Sequence, residues 1–260
     1  MLLHSCLIAN AQKLPNVQKQ GARVPNAVKI DGAIDEWNPN LLAYNHATEI
    51  FYCLANDDNN IYLLVNASKP EIINKILLGG ITLTIDPSAG KNDKGVAITF
   101  PTYYKNERPS INLKNMPRIN KDTLTYRAQA DSFRRASNQE LTNKSKLIEV
   151  ERIKGIGDSL ISIYNDQQIR AAALFDSKFT YHSELAVPIK YLNLNQSGTF
   201  SYHIKLNGAT ANNARIQPSR NGQLLLVTGS NGTYAVPAGS QYSSYIYPTD
   251  FWGAYTLARK

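Results

Sequence analysis

Ile30-Asp31-Gly32-Ala33-Ile34-Asp35-Glu36-Trp37 is the most informative stretch of this 260-residue chain. Asp31-Gly32 reads as a tight turn after a short strand, Asp35 as the cap of the next turn, and Trp37 as a large hydrophobe anchoring that turn on a core. Asp35 and Glu36 have the chemistry of a glycosidase acid pair. Adjacent turn residues, however, do not face each other across the roughly 5–9 Å that such hydrolysis needs, so the structural reading is preferred.

Outward from this turn the chain reads as strands. Short apolar runs with period-two alternation are separated by Gly, Asn, Asp and Pro, which predicts strands at 48–55, 61–67, 81–85, 95–100, 124–130, 146–153, 160–164, 169–175, 179–187, 199–206, 223–227 and 254–258. Such spacing favours an antiparallel β-sandwich over a βαβ arrangement. One short helix interrupts it: Ser68-Lys69-Pro70-Glu71 has the form of a capping box, Ile72, Ile73, Ile76 and Leu77 share one face, and Gly79 ends the run. The expected fold class is all-β, one antiparallel β-sandwich over 28–260 with one short helix.

The region before it divides in two. Leu2, Leu3, Leu7 and Ile8 lead into Ala9-Asn10-Ala11, which fits the small-x-small rule for signal-peptide cleavage and makes Gln12 the first mature residue. A positive n-region is missing, consistent with a start upstream of Met1. Residues 12–27 are polar, with Pro15, Gly21 and Pro25, and read as a leader arm. Export to the periplasm, cell surface or medium is the expectation. Loss of Cys6 with the signal would leave Cys53 as a lone thiol on a strand. No run approaches the ~20 apolar residues of a membrane span, so a soluble protein is expected.

A formal charge of +8 raises the question of nucleic acid. Its densest part, from Lys105 to Lys154 with Arg134-Arg135, also holds Glu107, Asp122, Asp131, Glu140, Glu149 and Glu151. No like-charge run forms and no nucleic-acid motif is present, so a solvated basic face is expected and nucleic acid is excluded as a partner.

With these elements laid out, the opening turn resembles the start of carbohydrate-binding module family 9 and its DOMON-like relatives. Further matches follow in family order. Ala55 to Val65 resembles the hairpin carrying "D-D-x-x-L-Y-L", and Ile81-Thr82-Leu83-Thr84-Ile85-Asp86 the strand ending in Asp. Tyr181 to Pro188 resembles the "E-x-A-I-P" strand, Phe200 to Ile204 the "G-F-x-x-x-V" strand, and Phe251 to Leu257 the closing "W-G-x-L-x-L". The resemblance implies a β-sandwich, a carbohydrate ligand held between two aromatic planes, and no catalytic machinery. One plane should stand just before the strand ending at Asp86, where this chain has Ile76-Leu77-Leu78-Gly79-Gly80. Trp37 and Trp252 occupy fold-defining positions and are expected to be buried.

Replacement platforms are then Tyr103 and Tyr104, or Tyr242, Tyr245 and Tyr247 before the last strand, since exposed tyrosines stack on sugar faces. Asp86 and Asp93 flank a loop that could take calcium, although an Asx-turn is the simpler reading; the same holds for Asp57 to Asn60. His46, His182 and His203 stand in no hydrolase or metalloprotease motif. His182 and Glu184, two apart on a strand, share a face. Two rival functions stay open: a DOMON-like haem domain ligated by Met116 with His182 or His203, and a structural or adhesion scaffold with envelope partners.

Overall fold

The computed structural model describes residues 14–24, 28–37, 43–104, 107–117, 124–209, 215–229, 232–240 and 246–259. The expected signal segment and most of the loop before the last strand, Tyr242 and Tyr245 included, lie outside the described residues. In chain order the elements are β1 (Ala43–Asn45), β2 (Ile50–Asn56), β3 (Asn60–Ala67), α1 (Pro70–Gly79), β4 (Ile81–Asp86) and β5 (Val96–Thr102). After these come α2 (Leu124–Lys144), β6 (Leu147–Glu151), β7 (Leu160–Ser162), β8 (Arg170–Phe175) and β9 (Tyr181–Pro188). The chain closes with β10 (Thr199–Leu206), β11 (Arg215–Pro218), β12 (Leu224–Gly229), β13 (Gly232–Pro237) and β14 (Thr249–Thr256).

Two antiparallel sheets form the sandwich, ordered β1-β2-β3-β9-β8 and β14-β10-β4-β5-β6-β7, with β11-β12-β13 as a separate small sheet. Alternation explains the core. In β10, Phe200, Tyr202, Ile204 and Leu206 point inward, while Ser201, His203 and Lys205 form the polar outer face. The inward residues meet Ile50, Tyr52 and Leu54 of β2, Leu63 and Val65 of β3, and Leu185 and Val187 of β9. Tyr52 and Tyr202 join the two sheets inside this core, their hydroxyls 2.9 Å apart. A Cβ on Gly253 would stand 2.2 Å from Tyr202 Cζ, so the glycine of the Trp252-Gly253 pair is the space into which that tyrosine ring fits.

The five-stranded sheet is buried on both faces. Ala22, Val24, Val28, Ile30, Ile34 and Trp37 lie over its outer side against Cys53, Ala55, Tyr62, Leu64 and Ala186. All eight residues of β9 are therefore buried. Burial pushes the Cys53 thiol up to about 12 and leaves it unreactive. Residues 14–24, read from sequence as an arm, are stitched to the sandwich. Gln18 exchanges hydrogen bonds with Leu54, Arg23 forms a parallel bridge with Asn56, and Tyr255 Oη contacts both the N–H and C=O of Ala22.

Three expectations need correction. The stretch 124–130 is not a strand but the first part of α2, a second helix of 21 residues. It lies against β8, where the Asn138 amide donates to Phe175 O (3.0 Å) and accepts from Phe175 N (2.7 Å). The capping box does not form: Lys69 is the N-cap of α1, no side chain caps it, and Pro70 supplies the preset φ of the first turn. Trp252 is not a core residue. Strand parity sends Phe251 and Tyr255 inward and Trp252 to the outer face, half-buried and stacked on His203 at 4.4 Å between ring centroids.

Candidate functional site

Sheet register brings Tyr104 and Tyr247 to the same end of the sandwich. Thr249 pairs with Leu206, Leu206 with Ile81, and Ile81 with Phe100. The N-terminus of β14 and the C-terminus of β5 thus emerge on the same side, separated by β10 and β4. Tyr247 precedes β14 and is 45% exposed; Tyr104 follows β5 and is 55% exposed. Tyr103 is a weaker platform, because its hydroxyl is buried and burial raises its pKa well above the usual phenol value.

At this end lies a recess of about 620 Å³ lined by Ala47, Glu49, Lys69, Glu71, Ile72, Lys75 and Thr249, within the size range of small-ligand clefts. Each wall has a local cause. Asn45 Oδ1 accepts from the N–H groups of Ala47 and Thr48, both at 3.0 Å, which curls the β1–β2 turn and leaves Glu49 at φ 55. Glu71, Ile72 and Lys75 follow helical spacing and so share one face of α1. Opposite them, Thr249 opens β14. Lys69 and Glu49 form an ion pair across the rim, and Glu49 holds the Lys69 ammonium above its ordinary pKa.

Lys75 is the unusual wall. It is only 3% exposed, and its Nζ donates to Thr249 Oγ1 at 3.2 Å. Burial lowers its pKa, with Glu49 acting in the opposite direction. The recess therefore combines ammonium and hydroxyl donors with two carboxylate acceptors, and Tyr247 stands two residues before its Thr249 wall. Sequence reasoning singled out Tyr104 and Tyr247, neither of which lines the recess, and did not single out Glu49, Lys69, Glu71 or Lys75, which do.

The proposed metal positions are at the other end. Asp86 Oδ1 accepts from Ser88 N (3.0 Å) and Ser88 Oγ (2.6 Å), and Oδ2 from Asn92 N (3.1 Å) and Nδ2 (3.0 Å). Burial acts to raise its pKa, but these donors outweigh it and hold the carboxyl below the usual range. Asp93 turns away to His203 Nδ1 at 3.0 Å. No cluster of three His, Cys, Asp or Glu side chains occurs among the described residues; the 86–93 loop is built as an Asx-turn. Asp57 likewise accepts from the N–H groups of Asn59 and Asn60 and from Tyr62 Oη.

Haem ligation does not fit these residues. His182 Nδ1 lies 2.9 Å from Asn66 Oδ1 and its Nε2 3.3 Å from Asp176. His203 is held between Asp93 and Asp250 and against Trp252. The two rings sit on the outer faces of different sheets; each Nδ1 is hydrogen-bonded, and each Nε2 lies within ion-pair distance of an aspartate without making a hydrogen bond.

The opening motif has a structural partner. Glu184 is fully buried; its Oε1 accepts from Trp37 Nε1 at 2.6 Å, and its Oε2 from Gly32 N at 2.7 Å and Asp31 N at 3.1 Å. Gly32 adopts φ +89, and a Cβ there would stand 2.9 Å from the Ala173 backbone, so the turn needs glycine. Asp35 and Glu36 stand side by side on this turn.

No protein-family model matches the chain, and no curated protein matches it. Among solved structures, a carbohydrate-binding module family 9 (CBM9) from Caldicellulosiruptor kristjanssonii in complex with glucose is similar to it at 10% identity and a TM-score of 0.36, over 93% of this chain and 97% of that one.

Proposed function

We propose that this protein is a non-catalytic carbohydrate-binding module, acting after export in the handling of a polysaccharide or glycan. The observation that carries the reading is the recess at the α1 end. Glu49 and Glu71 offer acceptors, Lys69, Lys75 and Thr249 offer donors, and Tyr247 is exposed two residues before Thr249. Sugars are recognised by this combination: hydroxyl groups engage paired donors and acceptors, while the C–H face of the ring stacks on an aromatic plane. The ordered resemblance of the sequence pieces to carbohydrate-binding module family 9 points the same way. Ala9-Asn10-Ala11 is the feature that suggests export.

A glycan array on the protein, followed by calorimetry of the hits, tests the proposal. Tyr247→Ala should weaken a bound oligosaccharide about tenfold, which corresponds to roughly 1.4 kcal/mol, and Glu49→Gln should weaken it without altering the melting temperature. Absence of any glycan binding at millimolar concentration would leave the sandwich as an envelope scaffold.

A further inference from the structure

We infer that the recess at the α1 end receives the carboxylate of an acidic sugar, with Lys75 Nζ as its cation. The inference rests on the carbohydrate-binding reading and specifies its ligand class. An ammonium has three donor hydrogens; among the described residues the only hydrogen bond made by Lys75 Nζ is that to Thr249 Oγ1. Glu49, the acid whose charge acts on it, is committed to the ion pair with Lys69. Lys75 is thus a buried cation without a dedicated counter-ion, on the wall of an open recess. Such an ion is costly to the fold unless an anion completes it.

Two further features favour an anion there. The first turn of α1 lines the recess, and no side chain caps it; its leading N–H groups carry partial positive charge. The whole chain has a formal charge of +8, which would draw a polyanionic glycan toward it and add little for a neutral one. Glu49 and Glu71 do not contradict this. Glu49 is neutralised by Lys69, and both carboxylates can accept hydrogen bonds from the hydroxyl groups of the same sugar ring.

Calorimetry of the intact protein with trigalacturonic acid, its methyl ester and cellotriose tests the inference. The acid should bind at least about tenfold more tightly than the ester, and Lys75→Met should reduce acid binding to the level of the ester. Equal binding of acid and ester, or preferential binding of cellotriose, overturns the inference while the carbohydrate-binding reading stands. A folded Lys75→Met protein that keeps the acid preference also overturns it. Failure of all three sugars to bind removes the inference together with the reading beneath it. Because the acid–ester comparison uses the parent protein, it decides the matter even if Lys75→Met fails to fold.

Discussion

Trp37 and Glu184, 147 residues apart in sequence, meet at 2.6 Å between the indole nitrogen and a carboxylate oxygen. With the amides of Asp31 and Gly32 on the second oxygen, this contact clamps the N-terminal covering segment onto β9. The clamp closes over a carboxyl that is fully buried. Burial outweighs the three donors and pushes Glu184 up to about 7 from its ordinary 4.5.

That shift has a definite sign. An acid whose folded pKa exceeds its unfolded one stabilises the fold fully below the lower value and loses the contribution as pH rises through the higher. The window for Glu184 is therefore about 4.5 to 7, and the effect is on the order of 3 kcal/mol. His182 works in the opposite sense, since burial lowers its pKa from 6.5 and its protonation in acid opposes folding. Urea unfolding at about pH 5 and about pH 8 separates the two. The parent should lose more stability across that interval than Glu184→Gln; identical losses would remove Glu184 from the account.

The two tryptophans should behave differently. Trp37→Ala empties a packed site and strips Glu184 of a donor, so a loss of about 3–5 kcal/mol is expected. Trp252→Ala removes a half-buried outer-face ring from its stack on His203 and should cost only about 1 kcal/mol. Thermal melting of both variants is the check, and equal losses would contradict the placement of Trp252.

Gly253→Ala should destabilise by about 1–3 kcal/mol or more, because the new methyl group occupies the space of the Tyr202 ring. Tyr202→Phe would not relieve the clash, since ring carbons remain within 2.5 Å of the added Cβ. Tyr202→Leu should relieve part of it. A double-mutant cycle in denaturant measures the coupling, and strict additivity would refute the contact.

Most strands were legible because a half-buried strand writes its two faces alternately into the sequence, as in Thr199 to Leu206. Helix α2 was not, because only Ser137 and Leu141 of its 21 residues are buried, too few to leave an apolar stripe. Trp252 was misplaced although its parity was readable: Phe251 and Tyr255 had already claimed the inner face. Exposed tyrosines stand out in the sequence one by one, but Lys75 does not. It sits among the isoleucines of α1, and its role depends on Thr249 arriving from 174 residues away.

The Asn138 side chain has one further consequence. A side-chain amide offers N–H donors beside a carbonyl acceptor, as a peptide edge does, and on Phe175 it occupies the places a neighbouring strand would take. Strand β8 is the outer margin of its sheet, and a bare margin invites pairing with another copy of the chain and, from there, fibril growth. Asn138 thus closes the Phe175 end of that margin to a further strand, a single side chain doing there what a backbone neighbour would otherwise do.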